Sequence, residues 1–66
     1  MDDELDLEKK LEELRIEHRD LDIVIEQLAD TAPIDMLRMQ RLKKRKLALR
    51  DHIMTIENML VPDIIA

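Results

Sequence analysis

Apolar residues recur along this chain at alternating steps of three and four. Leu7, Leu11, Leu14, His18, Leu21, Ile25 and Leu28 make one such row; Met39, Leu42, Lys46, Leu49, Ile53, Ile56 and Leu60 make another. A row of this kind is the seam of a helix that packs on a second helix, because the alternation keeps one narrow stripe turned toward the partner. The pattern predicts a first helix over about residues 3–29 and a second over about 36–61. Asp2 or Asp3 can accept hydrogen bonds from the first free amides of the first helix.

Between the rows lies "ADTAPIDM". Pro33 has no amide hydrogen and disfavours helical geometry in the residue before it, so a turn is expected over about 30–35. Asp35 is the expected N-cap of the second helix, with Ile34 folding back on Met39; Thr31 is the alternative cap. Pro62 closes the second helix and leaves 62–66 as a short apolar tail. So short a turn makes the helices antiparallel neighbours. Centred on Pro33 and Ile34, the layers pair Leu28 with Met39, Ile25 with Leu42, Leu21 with Lys46 and His18 with Leu49. Farther from the turn come Leu14 with Ile53, Leu11 with Ile56 and Leu7 with Leu60. The fold class expected is all-α, a single-domain antiparallel two-helix hairpin.

Composition narrows what such a hairpin can be. Sixty-six residues make one small domain, and a core this size is marginal without a staple. The chain has no cysteine, so the staple is neither a disulfide nor a thiolate zinc site, which leaves association with another chain. It has no glycine and no aromatic residue, which excludes glycine-rich phosphate loops and stacking platforms for single strands. An acidic start, "MDDELDLEKK", is unlike a secretion or transit signal, and no apolar run is long enough to span a bilayer. A soluble cytoplasmic protein is expected.

Residues outside the seams say how the chain associates. Ile16 and Ile23 are seven apart on the first helix and point away from the seam, with Val24 beside them; Leu47, Met54 and Val61 repeat at the same interval on the second. A lone hairpin would expose all of them, and contiguous apolar surface of that kind marks an interface. Ile16, Ile23, Leu47, Met54 and Val61 are therefore the expected oligomer interface, most simply of a dimer forming a four-helix bundle, or of a higher oligomer.

The polar members of the seams, His18 and Lys46, fall in neighbouring layers, and a lone polar residue in a seam most often fixes register. Asp22, one turn after His18, is a partner for either, and it should lie near Lys43. The same scheme sets Arg15 near Arg50. Catalysis is not expected. Thr31 and Thr55 are the only hydroxyl side chains, and the many carboxylates lie on solvated faces. His18, Asp22 and His52 are too few to predict a metal site, and no cofactor is expected.

Charge raises one rival reading. Residues 1–30 carry a net −8 and residues 31–66 a net +3, with "RLKKRK" at 41–46. Arg38, Arg41, Lys44 and Arg45 come nearest to sharing a face that could neutralise phosphates. Consecutive residues fan around a helix, however, and a strongly acidic helix lies alongside, so nucleic-acid binding is the alternative rather than the first expectation. Attachment to anionic membranes is weaker still, since the apolar stripes are better used on helices.

Two motifs carry a family resemblance. "EHRDLD" places His18 three residues before Leu21 and Asp22, and "RLKKRKLALRDHI" supplies Leu42, Lys43, Lys44, Lys46, Leu47, Leu49 and Asp51. In both respects the sequence resembles the YdcH-like family of small bacterial proteins, a domain of unknown function; Arg50 stands where that pattern has lysine. The resemblance runs from about residue 14 to 57. It implies a bacterial helical hairpin without an established activity. His18, Asp22, Lys43 and Lys46, picked out by pattern and pairing alike, are the expected shared polar cluster.

Overall fold

The computed structural model describes residues 3–60. Two helices account for nearly all of them, α1 over Asp3–Asp30 and α2 over Met36–Leu60, and no strand occurs among the described residues. They pack on each other as an antiparallel hairpin.

Local chemistry sets the helix ends. Asp3, Glu4 and Asp6 put negative charge at the amino terminus of α1, where the unpaired amides favour it. At its other end the Thr31 hydroxyl donates to the Gln27 carbonyl (2.8 Å) and the Thr31 amide to that of Leu28 (3.3 Å). Thr31 thus closes α1 instead of opening α2. The amide of Arg38 donates to the Asp35 carboxylate (3.1 Å), making Asp35 the N-cap of α2, and the amide of Met39 donates to the Asp35 carbonyl (2.9 Å). The staple expected of Ile34 leaves that side chain exposed. The ends assigned to Asp2 and Pro62 lie outside the described residues.

Within α1, Ile23, Val24 and Ile25 form a β-branched run with little helical preference of its own. Tertiary packing carries it, since Ile25 belongs to the seam. Burial follows the two rows closely. All fourteen seam positions are buried or half-buried, and only Asp22 and Glu57 among the other described residues escape full exposure.

The core is small and off-centre. Leu11, Leu14, Leu49 and Ile56 form one buried cluster, with Leu7, Leu21, Ile53 and Leu60 packed around it. Ile56, at 2% exposure, is the most completely covered of them. Nearer the turn, Met39 alone is buried. The molecule measures 48 × 28 × 15 Å, so it is one helix thick in its shortest dimension, and among the described residues nothing covers the outer faces of its helices.

Candidate functional site

The polar layer occupies the middle of the hairpin. His18 and Lys46 are both half-buried, as their place in the seams requires. The Lys46 ammonium pairs with Asp22 Oδ1. Lys46 is half-buried in the seam while its charge reaches the carboxylate of α1, as a long side chain with an apolar stem and a charged head allows. That hydrogen bond holds the Asp22 carboxyl below the usual carboxylate value. Partial burial works against the shift, while the charge of Lys46 and, to a smaller extent, His18 add to it.

Lys43 is not the ion-pair partner of Asp22. It lines an open groove of about 460 Å³ with His18, Ile25, Lys46, Leu47 and Arg50. The four residues of the expected polar cluster thus lie along one edge of the hairpin, but only Asp22 and Lys46 are joined by an ion pair. His52 lies on the other edge, in a groove with Glu17, Arg45 and Leu49. His18 and His52 therefore line different grooves and do not converge.

Two further ion pairs cross between the helices. Arg15 Nη2 reaches Glu57 Oε2 at 2.7 Å, and Arg45 Nη2 reaches Glu17 Oε2 at 3.1 Å. The pairing scheme set Arg15 beside Arg50. Instead, Arg15 extends about a turn toward the open end to find a carboxylate, and Arg50 turns to Asp51 on its own helix (3.6 Å). All of these groups are well exposed, so each pair contributes less than about 1 kcal/mol. Their use is orientation: one pair on each edge favours the antiparallel match.

The outer apolar residues are exposed. Ile16 is 53%, Ile23 46%, Leu47 51% and Met54 52% accessible. Val61 lies outside the described residues. On the basic side of α2, Arg45 is engaged by Glu17, while Arg38, Arg41 and Lys44 are exposed on the surface.

No helix among the described residues is long and apolar enough to cross a membrane. No curated protein and no solved structure matches the chain. A family model, described as "Protein of unknown function (DUF465)", matches residues 11–57, more than two thirds of the sequence and the whole of the polar layer with both of its motifs. The resemblance carried by His18, Leu21 and Asp22 and by the Leu42–Asp51 motif is thereby confirmed: the chain belongs to the DUF465 family, of which the YdcH-like proteins are members.

Proposed function

We propose that this protein is a non-enzymatic, self-associating helical module of the cytoplasm that works through protein–protein contacts. The observation that carries this reading is the exposure of Ile16, Ile23, Leu47 and Met54, in two rows of seven-residue spacing, on a hairpin one helix thick. Covering such rows with further helices, to make a bundle of four or more, gives a small domain the burial its own core lacks. The absence of cysteine fits a reducing compartment.

Nucleic-acid binding through Arg38, Arg41, Lys44 and Arg45 has less support. Glu17 already takes up Arg45, and α1 brings a strongly acidic surface within reach of any bound phosphate. Sedimentation from micromolar concentration upward tests the main reading, with a mass at least twice that of one chain as the expected result. A folded monomer throughout overturns it. Tight, steeply salt-dependent binding to duplex DNA or RNA, lost on reversing Arg41 and Lys44, would favour the alternative.

A further inference from the structure

The two exposed rows are not alike. Around Ile16 and Ile23 the outer face of α1 carries Glu12, Glu13, Asp20 and Glu26; Arg15 and Arg19 are the cations beside Ile16, and Arg15 is already paired with Glu57. Leu47 and Met54 run along an edge of α2 beside Lys43 and Arg50, which have the same seven-residue spacing and line the groove with Leu47. One row is acidic and aliphatic, the other basic and aliphatic. They also face different ways: the α1 row lies opposite its seam, whereas the α2 row borders the groove between the helices.

We propose that the occupant of the groove edge on α2 is the outer face of α1 from a second copy of this chain, so that copies join head to tail and not through one shared face. This rests on the self-association proposed above and specifies its contact. The match can be written residue by residue. With the two helices antiparallel and set so that the two rows coincide, Ile16 comes opposite Met54 of the next copy and Ile23 opposite its Leu47. Asp20 then meets Arg50 of the next copy, Glu26 its Lys43 and Lys44, and Arg19 its Asp51. Glu13 falls near Glu57 of the next copy, a like-charge contact that is relieved because Arg15 already neutralises Glu57.

Pairing α1 with α1 antiparallel through the same row, Ile16 opposite Ile23, would set Glu13 of each copy against Glu26 of the other, with Asp20 and Arg19 the one complementary match. Like-charge repulsion at both ends of the contact weighs against it. A contact between unlike faces leaves one of each free at the two ends of any pair. It therefore continues past two copies until a ring closes or a chain grows.

Two folded variants decide the matter, since each disables one face: Ile16→Gln with Ile23→Gln, and Leu47→Gln with Met54→Gln. All four sites are exposed, and glutamine keeps helical preference without altering charge. Circular dichroism checks that both variants remain helical. The expected result is that each variant alone sediments as a monomer where the unsubstituted chain associates, and that an equimolar mixture gives a species of twice the chain mass and nothing larger. If either variant alone keeps the assembly of the unsubstituted chain, or the mixture stays monomeric, the head-to-tail contact is wrong while self-association stands. If the unsubstituted chain is itself monomeric, self-association fails and this contact with it.

Discussion

Leu11, Leu14 and Ile56, three of the five buried side chains among the described residues, lie in the half of the hairpin remote from the turn, and a fourth, Leu49, lies at its middle opposite His18. In the half beside the turn only Met39 is buried, and Leu21, Ile25, Leu28 and Leu42 keep part of their surface in water. The polar layer of His18 and Lys46 lies between the two. Near the turn, a five-residue connection holds α1 and α2 together at small entropic cost, so few contacts are needed there. At the open end nothing but packing keeps the helices from splaying. The buried residues stand where chain connectivity helps least.

Truncation at the two ends tests that contrast most severely. Ile56→Ala should cost about 2–4 kcal/mol, enough to unfold most molecules of a domain this small. Ile25→Ala, half-buried beside the turn, should cost about 1 kcal/mol. Urea titrations giving equal losses for the two would remove the distinction. Replacing both His18 and Lys46 with leucine should raise the melting temperature by about 5 °C and populate additional oligomers, because the apolar row then runs unbroken from one half into the other. Unchanged assembly in sedimentation would mean that the layer does not set register.

Losing the cap by Asp35→Ala should cost about 1 kcal/mol, read as faster amide exchange in the first turn of α2 and a lower unfolding midpoint. The smallest effect concerns pH. Asp22 titrates below its ordinary value of 3.8 in the folded chain, so the unfolded chain takes up its proton first. The stability contributed by the Asp22–Lys46 pair is therefore present above that value and is lost as pH falls through the lower folded one. Thermal melts of Asp22→Asn should lack this part of the acid dependence, and an unchanged acid profile would show that the pair contributes nothing.

Much of the fold was legible in the sequence, because a seam depends only on which residues are apolar and how they are spaced. His18 and Lys46 could be assigned to the interior despite their polarity for the same reason. The pairing of charged groups was less legible. Layer arithmetic gives the height of a Cα along the hairpin, whereas an arginine or lysine head reaches about a turn beyond it. Arg15 therefore finds Glu57 instead of a residue of its own layer, whereas the pairing of Asp22 with Lys46 was among those the seams suggested. Thr31 was ambiguous because its hydroxyl can close one helix as readily as it can open the next. The outer rows of Ile16, Ile23, Leu47 and Met54 were visible as leftovers, but which surface covers which depends on the charges that surround them in space.

The methionines record a different property of this arrangement. Met36, Met54 and Met59 hold their thioethers in solvent, while Met39 is enclosed beside the turn. Peroxide should convert the exposed three to sulfoxides first and reach Met39 only when the helices part, since oxidation follows access. The rate at which Met39 oxidises is thus a built-in clock for the opening of the hairpin. Oxidation at Met54 would place a polar sulfoxide in the stripe beside Leu47, so an oxidised sample would lose part of the proposed contact surface before it lost its fold.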